Sequence, residues 1–87
     1  MVTDEEPLGE RLQRLREARG MTRAELAEAC VALGRRIERN DIVRYEEGAY
    51  YPRLPTFAAL ARVLGVSMDM LWYGEEEAER LAWGRER

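Results

Sequence analysis

The run Arg39-Asn40-Asp41-Ile42-Val43-Arg44-Tyr45-Glu46-Glu47-Gly48 decides how the rest of the chain is read. Ile42 and Tyr45 stand at i, i+3, the spacing of one helix face, and Gly48 marks the end of that helix. Upstream, Thr22-Arg23-Ala24-Glu25 is a capping box. The Thr22 hydroxyl accepts from the Glu25 amide while the glutamate reaches back to the amide of Thr22. The helix it opens is expected to bury Leu26, Ala27, Cys30 and Leu33, with Gly34 in the position of a left-handed C-terminal cap. Further back, Leu8, Leu12 and Leu15 recur at i, i+4, i+7 and predict a first helix near 8–19, stopped by Gly20. Downstream, Pro52 and Pro55 punctuate a loop, and Pro55 suits the first turn of a helix that buries Phe57, Leu60, Ala61 and Leu64 and stops at Gly65. Ser67 caps a short fifth helix carrying Met68, Leu71 and Trp72, closed by Gly74. Glu76 and Arg80, at i, i+4, support further helix beyond it. No alternating period-2 run competes, so the expected class is all-α with five packed helices and a C-terminal helical tail.

Composition narrows the chemistry. At 87 residues the chain is one domain, and such a domain buries roughly 60–65% of the surface its unfolded form exposes. All 14 cations are arginine, and there is no histidine, which removes the commonest general base and the commonest zinc ligand together. The single cysteine, Cys30, has no partner for an internal disulfide and makes no thiolate cluster, so it reads as a small apolar core residue. No enzyme, no metal and no cofactor is the resulting expectation. The longest uninterrupted apolar stretch, Ala29 to Leu33, is only about five residues, too short for a signal peptide or a membrane span. A cytoplasmic protein without a membrane partner is expected.

Charge divides the chain into three parts. An acidic N-terminal tail, 1–7, carries Asp4, Glu5 and Glu6. The middle, 8–64, holds eleven arginines against eight acids, and 65–87 is acidic again, which brings the whole to −3. The expected organisation is the tail 1–7, a helical domain 8–74 and a charged C-terminal segment 75–87.

Two short helices joined by a turn, set among others, is the arrangement that presents one helix to the DNA major groove. The ordered set here is specific. Leu12-Gln13-Arg14-Leu15-Arg16 is followed by Thr22-Arg23-Ala24-Glu25-Leu26-Ala27 and by Ile42-Val43-Arg44-Tyr45-Glu46-Glu47-Gly48. Pro52, Phe57, Leu60-Ala61, Leu64-Gly65-Val66-Ser67-Met68-Asp69 and Leu71 complete it. Over about residues 8–74 this resembles the Cro/lambda-repressor-like, or XRE, helix-turn-helix domain. It departs once. Gly34 lies eight positions after Leu26 and Ile42 eight after Gly34, so the second helix is expected to run about one turn longer than in the family, with a longer turn behind it.

The resemblance implies a sequence-specific, double-stranded-DNA-binding transcriptional regulator, a homodimeric repressor on an inverted-repeat operator, reading the major groove with the helix near 39–47. It places the base-reading positions on Arg39, Asn40 and Arg44. Arginine pairs with guanine O6 and N7, and asparagine with adenine N6 and N7. Asn40 has a competing use as the N-cap of its helix. Asp41 either caps amides or accepts from a cytosine N4 amine. Phosphate contacts fall on Arg23, Tyr50 and Arg53, with Arg35 and Arg36 in the lengthened turn as further candidates; Tyr51, before Pro52, either joins them or packs on the domain. Arg16 and Glu46 match positions that in relatives form a partly buried ion pair. Dimer contacts are expected from Trp72, Leu81 and Trp83. The alternative is an antitoxin-like or bridging module that engages a protein partner through its acidic ends, with DNA binding secondary; the −3 net charge and the acids around Asp41 favour it.

Overall fold

The structure, a computed structural model, describes the backbone of residues 6–85 and the side chains of 6–80. Among these residues it is all-helical, in the order α1 (Leu8–Ala18), α2 (Arg23–Ala32), α3 (Arg39–Glu47), α4 (Leu54–Leu64), α5 (Met68–Tyr73) and α6 (Glu75–Arg85). No helix among them is long and apolar enough to cross a membrane. Most of the acidic tail, residues 1–5, lies outside the described residues.

The helix ends follow local chemistry. At α2 the capping box is formed as its spacing predicts: Thr22 Oγ1 accepts from the Glu25 amide at 3.1 Å, and the Thr22 amide donates to Glu25 Oε1 at 2.9 Å. Ser67 Oγ accepts from the Met70 amide at 2.9 Å and starts α5. Helix α2 stops at a Schellman turn, with the Arg35 amide donating to Cys30 O at 2.9 Å and the Gly34 amide to Val31 O at 2.8 Å. Gly34 has a φ of +91° there, a backbone state that side chains with a Cβ rarely adopt. The extra turn expected of α2 is therefore helical, and the lengthened connection runs from Gly34 to the start of α3.

That connection corrects two expectations. Leu33 is not in the core; it is 43% exposed, because it stands at the C-cap, past the last turn of α2 that the core covers. Ile37, which carries no local periodicity, fills the core instead at 7% exposure. The N-cap of α3 is Glu38, not Asn40. Asp41 is the residue that satisfies the helix start, with its Oδ2 accepting from the Glu38 amide at 2.8 Å, which leaves Asn40 in the first turn with an exposed side chain.

Leu12, Leu26, Cys30, Ile42, Leu60 and Leu71 are the most deeply buried side chains, and they join α1 to α5 in one core cluster. Each fully buried Leu or Ile contributes about 1.5–3 kcal/mol against its exposed state. Helix α1 packs on α3 and α5, and α2 packs on α3 and α4. The α1–α3 approach is unusually close: a Cβ added to buried Gly9 would lie 2.4 Å from Glu46 O and 2.7 Å from Tyr45 O. Only glycine lets the first turn of α1 sit against the end of α3. In the same first turn of α1, two residues after Gly9, buried Arg11 donates to Leu71 O at 3.2 Å and Trp72 O at 2.8 Å, and to Glu6 O at 3.0 Å. It thus satisfies carbonyls at the C-terminus of α5, where a cation is favoured. Arg80 pairs with Glu77, three residues back, rather than with Glu76.

Candidate nucleic-acid interface

Helix α3 is held by one edge. Ile42 is fully buried and Glu46, one turn on, is buried too. At 100° per residue, Asn40 and Arg44 each lie about 160° around the helix from Ile42, on the side away from the core. Both are exposed. Arg39 lies only about 60° from Ile42 and is exposed because α3 begins with it; it leaves from the flank of the first turn. The three candidate base readers therefore project from one short helix, with Asn40 and Arg44 side by side and Arg39 apart. Glu47 is also exposed next to them.

Arg44 has one neighbour that orients it. Its guanidinium carbon lies 6.0 Å from the centroid of the Tyr50 ring, within the range of a cation–π contact. Tyr50 itself is 55% exposed, so its ring supports Arg44 while its hydroxyl stays available. Arg53, the N-cap residue of α4, and Arg36, in the lengthened turn, are both exposed. Arg35 is not: it is half-buried, its Nη2 donates to Thr56 Oγ1 at 3.2 Å, and its Nε is buried without a hydrogen-bond partner. Arg35 braces the turn against α4, and its reach toward a ligand is reduced accordingly.

Behind the exposed face of α3 lies a charged junction of α1, α2 and α3. Arg16 Nε donates to Glu46 Oε2 at 2.7 Å and Arg16 Nη2 to Glu46 Oε1 at 3.3 Å. Arg16 Nη1 also donates to Met21 O at 2.8 Å. Arg23 is the third member, its Nε donating to Glu46 Oε1 at 2.8 Å. The last contact has no local signal, since Arg23 and Glu46 are 23 residues apart.

The candidate dimer surface is partly described. Trp72 is 48% exposed and meets Tyr51 and Phe57 edge-on, each at a ring separation of 5.8 Å. Tyr51 thus packs against α5, although most of its surface remains exposed. Leu54, Met68 and Tyr73 are exposed beside Trp72, and with Pro52 and Phe57 they line a groove of about 400 Å³. Leu81 and Trp83 lie outside the described side chains. Cys30 is fully buried, and burial pushes its thiol up to about 11, which keeps it protonated and inert. No group of residues suited to hold a metal ion occurs among those described.

The comparisons with known proteins agree with this architecture. No curated protein matches the chain. A solved structure, the crystal structure of the P22 c2 repressor protein in complex with synthetic operator 9T in the presence of Tl+, superposes with a TM-score of 0.72. It is 23% identical, and the match covers 80% of this chain and 98% of that one. The chain thus shares its fold with that protein. The profile of a family described as "Helix-turn-helix domain" matches residues 7–71, a span that takes in α1 to α4 and most of α5. On that match, the chain belongs to the helix-turn-helix domain family.

Proposed function

We propose that this chain is a sequence-specific, double-stranded-DNA-binding transcriptional regulator, a homodimeric repressor that inserts α3 into the major groove. The observation that carries the reading is the two-sided build of α3: Ile42 and Glu46 are buried, while Asn40 and Arg44 stand exposed on the opposite side. The similarity in fold to a repressor whose structure contains an operator supports it. In this reading Arg44 and Asn40 read base edges and Arg39 assists from the flank. Arg23, Arg36, Tyr50 and Arg53 meet phosphates, and Arg35 contributes less because Thr56 holds it. The protein works in the cytoplasm as a regulator without catalysis or cofactor.

One domain offers few contacts, so a second copy on the other half of an inverted repeat, about one helical turn away, completes the site. Trp72 and the exposed apolar residues around it are the surface this dimer would use. The protein-interaction alternative draws on the −3 net charge and on the acidic first turn of α6, Glu75, Glu76 and Glu77.

A salt titration on random duplex separates the readings. About five phosphate contacts give a log K against log salt slope of roughly −4 to −5 per subunit. Absence of binding even near about 50 mM salt, where nonspecific binding is strong, defeats the DNA reading. Selection of bound duplexes from a random pool then assigns roles. Arg44→Ala should relax preference at one base pair by about 1–3 kcal/mol, whereas Arg53→Ala should weaken all sequences alike.

A further inference from the structure

Arg23 stands where local rules disfavour a cation. It is the first residue of α2, and helix N-termini, the positive end of the dipole, favour acids. The acid that compensates it, Glu46, already has a partner. Arg16 alone neutralises that carboxylate with contacts at 2.7 and 3.3 Å, and both side chains are buried, at 8% and 2% exposure. Glu17 also approaches Arg16, at 3.8 Å, but from solvent, at 59% exposure, where screening weakens it. Arg23 is thus a second guanidinium on one carboxylate, and it is the outer one, 34% exposed. An arrangement that breaks a local preference with no pairing need is the kind found at functional sites.

We infer that Glu46 is a positioning residue for DNA binding: it holds Arg23 by Nε so that the terminal nitrogens meet a phosphate at the start of α2. The planar guanidinium makes this feasible, since one edge serves a carboxylate while the remaining donors serve a second anion. Lysine, a single point charge, does not hold two anions in fixed directions. The backbone adds to the same place. Thr22 takes up the Glu25 amide, and the amides of Arg23 and Ala24, which precede the first intrahelical acceptor, face the approaching anion. Glu46 sits two residues beyond Arg44 on the same helix, so the gripped phosphate sets how far Arg44 enters the groove. The grip and the reading head become one rigid unit.

The inference rests on the DNA-binding reading above, and its test keeps the two apart. Affinity for a random-sequence duplex, its salt slope and thermal melting are measured on the full chain and on Arg23→Ala and Arg23→Lys. Arg23→Ala should bind about tenfold more weakly and lose roughly 0.9 of the salt slope. Arg23→Lys should recover less than half of the lost affinity on a logarithmic scale. Melting should change little, because Arg16 still pairs with Glu46. A fully active Arg23→Lys overturns the inference, since charge without direction then suffices. So does an affinity loss that merely tracks a drop in melting temperature. In a Glu46→Gln background, which keeps the shape of the side chain, the Arg23→Ala penalty should shrink below about threefold; an undiminished penalty overturns the coupling. Should Glu46→Gln not fold, the comparison of Arg23→Lys with Arg23→Ala decides alone. Absence of duplex binding by the unmodified chain defeats the DNA reading itself, whereas binding with a fully active Arg23→Lys defeats only the positioning role.

Discussion

The side of α3 that faces α1 and the side that faces solvent are built from opposite kinds of contact. On the inner side Ile42 is fully buried, Glu46 is shared by Arg16 and Arg23, and α1 approaches so closely at Gly9 that an added Cβ would lie 2.4 Å from Glu46 O. The Arg16–Glu46 contact there is short, desolvated and directional. On the outer side Asn40 and Arg44 are exposed, and the support given to Arg44 is one ring contact with Tyr50 at 6.0 Å. The inner side fixes where the helix axis lies; the outer side leaves the tips free to choose a partner. Substitutions should therefore sort by side, inner ones moving stability and outer ones moving recognition, with partly exposed Arg23, on the rim of the junction, the exception.

The largest expected effect comes from the inner side. Glu46→Ala leaves Arg16 buried without its carboxylate, a loss of about 3–5 kcal/mol, read as an earlier midpoint in chemical denaturation. An unchanged midpoint would mean that the junction is not what holds α3. Gly9→Ala comes next. The added methyl gains helix propensity but collides with the Tyr45 and Glu46 carbonyls, and overpacking of this kind costs about 1–3 kcal/mol. A stabilised Gly9→Ala protein would show that α1 slides freely over α3.

The outer side should respond in binding alone. Tyr50→Leu removes the ring beneath Arg44 and should weaken operator affinity by about 0.5–1 kcal/mol, with melting unchanged. Tyr50→Phe keeps the ring and should lose only the share that the hydroxyl's phosphate contact supplies, less than Tyr50→Leu loses. Equal losses in both variants would leave the hydroxyl as the whole contribution of Tyr50 and the ring contact with none. The smallest effect lies far from α3. The Arg14 guanidinium, donating to both Glu6 oxygens, holds the Glu6 carboxyl below its usual 4.5. A lowered carboxylate stabilises the fold fully above its unfolded pKa and stops doing so as pH falls through the folded one. Acid titration of melting should thus show a gentle decline below about pH 4.5 that Glu6→Gln removes.

The same division governs how much was legible in the sequence. Helices α1, α2, α4 and α5 announce themselves through spacing, a capping box, Ser67 and the helix-ending glycines, all of which act within a few residues. The outward pair Asn40 and Arg44 is legible for the same reason, as a counterphase to Ile42. What depends on the chain returning from elsewhere is not legible. Ile37 fills the core where Leu33 is expected, because the chain reverses at Gly34 and returns to the core before α3. Nothing near Gly9 in the sequence announces the α3 backbone that lies across it. Nothing near Arg11 announces that it closes α5 from 60 residues away. Arg23 reads as a free phosphate ligand, and its tie to Glu46 emerges only when three helices meet.

Cys30 has a practical consequence. It is the single cysteine of the chain, fully buried where α2 meets the core, and its thiol is pushed up to about 11 by burial. A thiol-specific reagent can reach it only when α2 lifts off the core. The native protein therefore carries its own stopwatch: the rate at which Cys30 is alkylated, with no introduced label, times the opening of the helix that the proposed phosphate grip stands on. Duplex added to the same reaction should slow the clock, which turns one unreactive sulfur into a binding assay.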